Sequence, residues 1–272
     1  SSLTRWTIPL AILLALLFYG LAALCRRERR GPPLQTADGF LLATAVLTVV
    51  YFAAPSELAG GGFINQRLLL FPFLTLLLWL GTFEHPARRR LHVQIAAAAI
   101  ALAFLGLMLW KYAQLDRGLS EVVATVDTVA PDHTLVFLSY DHRGDVRGND
   151  LVFRTEPLLH VGGYVAARKR LVDLSLYEAN ENYFPLLFRP SLNPYLYMSH
   201  GLLGIEKVPP EVDLLGYSRR TGGRIDYVLL WALRDDQRGD REVRAVLDQL
   251  AAGYSLVRRS PSGRVLLYRA RI

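Results

Sequence analysis

Residues 60–80 read Gly-Gly-Gly-Phe-Ile-Asn-Gln-Arg-Leu-Leu-Leu-Phe-Pro-Phe-Leu-Thr-Leu-Leu-Leu-Trp-Leu. A glycine-rich loop and a polar trio, Asn65, Gln66 and Arg67, run straight into thirteen residues without a charge. So apolar a run does not suit the surface of a water-soluble protein, where one helix face must meet solvent. It predicts a membrane-spanning helix with Arg67 where the span meets water, and the neighbouring segments are read around that junction.

Three further apolar runs fit the same reading. Residues 6–24 are uncharged, and at about 1.5 Å of rise per residue they cross a hydrocarbon core of roughly 30 Å. This run is long for a signal peptide, and no small-residue cleavage site follows it. Residues 39–54 form a shorter run that Thr36 or Asp38 extends as a cap, and 93–110 form the last, between His92 and Lys111. Pro9 and Pro72 are read as tolerated inside such helices. Trp6, Tyr51, Trp79, Trp110 and Tyr112 fall near span ends, where amphipathic rings prefer the interface.

Charge is distributed to match. Of 272 residues with a formal charge of +7, the first 112 hold ten Lys/Arg and four Asp/Glu, and the remainder hold twenty-one and twenty. The basic excess belongs to the apolar half, which argues for a membrane protein and against a nucleic-acid partner. Arg26, Arg27, Arg29, Arg30 and Arg88–Arg90 make the loops after the first and third runs basic, hence cytoplasmic. Alternation then puts the loop 55–67 and everything after Trp110 on the outer face. The single Cys25 makes no intramolecular disulfide.

From Ala113 the pattern becomes that of a soluble domain. Leu115, Leu119, Val122, Val123 and Val126 recur at helical spacing before Pro131. Residues 134–140 and 225–231 read as strands, 156–170 as a helix, and 171–174 as a short strand. Residues 240–251 form an amphipathic helix capped by Asp240, and 254–259 with 264–269 form a hairpin. The expected fold class is thus a membrane all-α region of four transmembrane helices over 1–112, followed by a small extracytoplasmic α/β domain over 113–272. Within that domain, 176–223 is a long irregular loop, of a length associated with function or disorder.

Three constellations carry possible chemistry. Arg67, with Asn65 and Gln66 beside it, has the paired donors to hold a phosphate, or else only snorkels to headgroups. Asp141, His142, Asp145 and Asp150 follow a strand but match no metal-ligand spacing, and they read as a solvated loop with no metal. Glu178, Asn180, Glu181, Asn182 and Tyr183 combine carboxylates, amides and a ring, a mixture suited to binding carbohydrate, or to capping turns. Glu178, Glu181 and Tyr183 are therefore expected at a binding site with Arg67, Asn65 and Gln66. His160 reads as a core histidine, and Gly162-Gly163 as a close-packing pair. No motif specifies a cofactor.

The sequence resembles the C-terminal half of bacterial GT-C-type membrane glycosyltransferases, which use polyprenyl-phosphate-linked sugars. The similar features are residues 63–80, the helix around 115–126 leading to Pro131 and 134–138, and Ile225-Asp-Tyr-Val-Leu-Leu-Trp231. The resemblance implies an inner-membrane protein whose partners are membrane lipid and a lipid-linked sugar or glycan acceptor, and it implies that Arg67 meets lipid phosphate. One departure matters. In that superfamily the catalytic acid lies in the first large outer loop, whereas the only outer loop here offers Glu57 alone. The resemblance therefore implies that the catalytic spans would precede Ser1. A different expectation stands beside it: a non-catalytic anchored subunit that presents an α/β module to a membrane protein assembly.

Overall fold

The computed structural model describes residues 35–271 apart from 56, 59–60, 63, 84–85, 147–148, 153–155, 182–183 and 202–203. The chain divides into two compact units, Ser1–Ala99 and Ile100–Ile272. The division between them falls inside a long helix.

In the first unit, α1 (Asp38–Ala53) pairs with α3 (Leu70–Gly81). Thr44 and Thr75 share a hydroxyl hydrogen bond of 2.8 Å, and Trp79 Nε1 donates to Asp38 Oδ1 at 3.1 Å. Leu76, Trp79 and Leu80 are buried, with Leu41 and Phe83 packed against them. Between the two helices a two-residue ladder, β1 (Glu57–Leu58) with β2 (Gly61–Gly62), precedes the short α2 (Ile64–Leu68).

These elements correct the expectation of four transmembrane helices. Among the described residues only α4 (Ala87–Thr125) is long and apolar enough to cross a membrane. With 16 and 12 residues, α1 and α3 reach about 24 and 18 Å, short of a core of roughly 30 Å. Each stops for a local reason. Ala54 is extended, with φ −69° and ψ 137°, because the ring of Pro55 disfavours helix in the residue before it. Pro72 has no N–H to return to the carbonyl of Leu68, so the hydrogen-bonded run from Ile64 to Gly81 is interrupted at Leu69, which itself keeps helical dihedrals of φ −58° and ψ −29°. The run at 6–24 lies outside the described residues. With the spans shortened, the four-span alternation no longer fixes orientation.

The second unit is built on a five-stranded mixed sheet in the order β6-β3-β7-β9-β8. Its strands are β3 (Thr134–Ser139), β6 (Val172–Asp173), β7 (Tyr227–Trp231), β8 (Tyr254–Arg259) and β9 (Val265–Ala270). β6 and β7 flank β3 in parallel, β9 runs antiparallel to β7, and β8–β9 is the terminal hairpin. β4 (Asp145–Val146) and β5 (Asn149–Asp150) make a separate small ladder.

Alternation along the strands sends side chains to two cores. Leu135, Phe137, Leu229, Trp231, Val265 and Leu267 pack with Val122 of α4 and with Val161 and Val165 of α5 (Val161–Lys169). Val136, Leu138, Val228, Leu230 and Leu266 pack on the other face. There they meet Leu214 and Tyr217, together with Val243, Val246 and Leu250 of the C-terminal helix. Two helices therefore cover this face, α7 (Leu214–Thr221) and α8 (Arg241–Gly253), where α6 is the short Pro194–Tyr197. Covering on both faces explains why β7 is buried at every residue. The stretch 176–223 is not structureless, since it holds α6, α7 and two short 3-10 turns. In such a sheet, ligands bind beyond the carboxyl ends of the parallel strands.

Candidate functional site

A cavity of about 200 Å³ opens where β6 ends and α5 begins. Its chemistry comes from His160, Asp173, Ser175, Tyr177, Glu178 and Glu206. The approach of α5 to β3 makes this geometry possible. A Cβ on Gly162 would lie 2.8 Å from Phe137 Cβ and 3.1 Å from Asp173 Oδ2, so only glycine lets the first helical turn sit against strand and carboxylate together.

Asp173 lies on the buried floor. Its Oδ1 accepts from the backbone N–H of Ser175 at 2.8 Å and from the Ser175 hydroxyl. Burial pushes its carboxyl above the usual range, against those two hydrogen bonds. Glu178 sits at the rim on a 3-10 turn (Tyr177–Asn180), with Oε1 3.7 Å from His160 Nδ1. The other oxygen, Glu178 Oε2, is buried without a hydrogen-bond partner among the described residues, and so is Glu206 Oε2.

Glu206 and Tyr195 are linked. The Tyr195 hydroxyl lies 2.9 Å from the Ser175 carbonyl and also contacts Glu206 Oε1. A phenol has one proton, and a carbonyl can only accept. The single proton of Tyr195 thus faces two acceptors, the Ser175 carbonyl and Glu206 Oε1. Burial raises the Glu206 carboxyl and the Tyr195 hydroxyl alike. The cavity thus offers three carboxyl groups, two of them with a buried oxygen that lacks a donor among the described residues.

Of the residues expected at a site, Glu178 lines this cavity and Glu181 follows the same 3-10 turn as its C-cap. Tyr183 and Asn182 lie outside the described residues. Arg67 is exposed at the end of α2. Asn65 and Gln66 lie in the same short helix, and their side chains are outside what is described. His160 is not a core histidine: its side chain is 55% exposed and caps no helix end. Asp173, Tyr195 and Glu206 carry no sequence motif. The one trace of Asp173 is an acid ending a short apolar run at 171–174.

The Asp141 loop is structural. Asp141 Oδ1 accepts from the N–H groups of Arg143 and Gly144, both at 2.9 Å, closing the turn after β3. His142 is buried, 3.6 Å from Glu156, where desolvation holds its imidazole below the ordinary value. Among the described residues no cluster of His, Cys, Asp and Glu can hold a metal ion.

Comparison of the chain with protein-family models, with curated proteins and with solved structures finds no match.

Proposed function

We propose that this chain is a membrane-anchored α/β module that binds a hydroxyl-rich ligand, a sugar, in the pocket of Asp173, Glu178 and Glu206. The observation that carries the reading is the pair of buried, unpartnered oxygens on Glu178 and Glu206. A buried acceptor without a donor costs about 1–3 kcal/mol, and a ligand hydroxyl recovers it. Asp173 and the His160–Tyr177 ring pair, with centroids 5.6 Å apart, add the mixed polar and aromatic lining that sugars use.

The anchor is α4. Every residue from 86 to 107 is exposed, including Val93, Ile100, Leu102 and Phe104, so this apolar length is left uncovered among the described residues. Arg88–Arg90 at its start favour the cytoplasmic side, which sends the α/β unit to the outer face. On the resemblance drawn from the sequence, the ligand is a sugar of lipid-linked glycosyl transfer, and the module positions it without performing the chemistry. Titration with neutral saccharides tests the pocket, and loss of binding in Glu178→Ala is the expected result.

A second reading is favoured by one observation. Leu186, Leu187 and Leu196 are exposed on the stretch preceding α7, an apolar surface suited to a protein partner in a membrane assembly. Replacing the three by Ser should release such a partner and leave saccharide binding intact.

A further inference from the structure

A second cleft, of about 220 Å³, lies past the end of β7 beside the β8–β9 turn. Four guanidinium groups line it: Arg234, Arg238, Arg259 and Arg264. Each is held from behind. Arg234 Nε donates to Asp236 Oδ1 at 3.1 Å, and Arg238 Nε to Asp235 Oδ1 at 2.9 Å. Arg264 lies over the Trp231 ring at 5.1 Å, with Nη2 3.6 Å from Asp141 Oδ2. Arg259 folds across the turn at Gly263, where φ is +75° and a Cβ would come within 2.8 Å of its Nη2.

We infer that this cleft is a binding site for a phosphate group, as a monoester or diester. A guanidinium has five N–H donors in a planar fork, and Arg238 and Arg264 meet their carboxylates through one nitrogen each. Four carboxylates lie near these arginines: Asp141, Asp235 and Asp236 are engaged with Arg264, Arg238 and Arg234, and Glu121 accepts from Ser262 within reach of the Arg264 charge. Among the described residues Arg259 has no carboxylate partner, and the lining of the cleft sets four arginines against one carboxylate, Asp235. Ser262 also lines the wall, with its backbone N–H and its hydroxyl donating to Glu121 Oε1. Convergent forks on a rigid turn match the tetrahedral oxygens of phosphate, which arginines bind in pairs. The site shares no lining residue with the carboxylate pocket and does not rest on the sugar reading.

The test is calorimetric titration of the full chain in neutral detergent with inorganic pyrophosphate, for wild type, R259Q and R264Q. Wild type should bind, and each variant should lose at least tenfold in affinity with an unchanged thermal melt. R259K, which keeps the charge and loses the fork, should fall between. Short-chain phosphatidylglycerol and glycerol phosphate as competitors separate the two sources: the lipid competes better if the natural ligand is a headgroup, and the soluble ester competes as well or better if it is not. Absence of pyrophosphate binding by wild type would overturn the proposal, and so would binding that folded R259Q and R264Q leave unchanged.

Discussion

Glu178 Oε1 lies 3.7 Å from His160 Nδ1, while Glu178 Oε2 is turned inward without a partner. One carboxylate thus faces solvent chemistry with one oxygen and the cavity with the other. The exposed side of this arrangement contributes little to stability, because partly exposed ion pairs are worth about 0–1 kcal/mol. His160→Ala should therefore leave the urea midpoint nearly unchanged. Denaturation curves of the two proteins check this.

The floor of the pocket behaves differently with pH. Burial raises the carboxyls of Asp173 and Glu206 in the folded state. The folded protein then binds protons more tightly than the unfolded chain. Their contribution to stability is fully present below the unfolded carboxyl values, about 3.9 and 4.3. It is lost as pH rises through the folded values. Asp173→Asn and Glu206→Gln, which fix the neutral form, should each gain stability relative to wild type as pH rises from 4 to 8. Thermal melts across that interval measure the difference, which should vanish at the acid end.

Gly162 faces a harder constraint. Its missing Cβ would meet Phe137 Cβ, an atom fixed to the backbone of β3, so relief requires α5 to move. Overpacking of this kind costs about 1–3 kcal/mol. Gly162→Ala should lower the unfolding free energy by that order, read from urea titration, and should also weaken ligand binding, because α5 forms one wall of the pocket.

Much of the second unit was legible in the sequence. Residues 134–139 and 227–231 are continuous apolar runs, as strands buried on both faces must be. Val243, Val246 and Leu250 mark one helix face at their spacing, and Ser260-Pro-Ser-Gly263 marks the last turn. Helix lengths in the first unit were not legible from hydropathy alone. Composition along 39–54 and 68–80 is that of a span, but Pro55 and Pro72 set the ends through backbone geometry, which an average over residues does not register. The pocket was half visible. Glu178 sits in a conspicuous polar cluster, whereas Asp173, Tyr195 and Glu206 are scattered and meet only because α5, β6 and the segment around α6 fold together. His160 was misjudged because its apolar neighbours Leu158 and Val161 turn inward while it turns out.

As the proposed anchor, α4 yields a prediction of its own. Leu102 lies in the middle of the exposed apolar length of α4. An arginine at the centre of a membrane helix costs roughly 2.5–3.5 kcal/mol on insertion scales. Leu102→Arg should move a substantial fraction of the chain from the carbonate-resistant membrane pellet to the supernatant, measured by quantitative blotting.

Saturation-transfer NMR of the full chain with neutral monosaccharides tests the pocket most directly. Wild type should transfer saturation to at least one sugar, Glu206→Gln should retain the effect because its amide keeps an acceptor oxygen, and Glu178→Ala with Glu206→Ala should abolish it while the fold persists. No transfer to any sugar by wild type, or equal transfer by the double alanine variant, would contradict the assignment of this pocket to a hydroxyl-rich ligand.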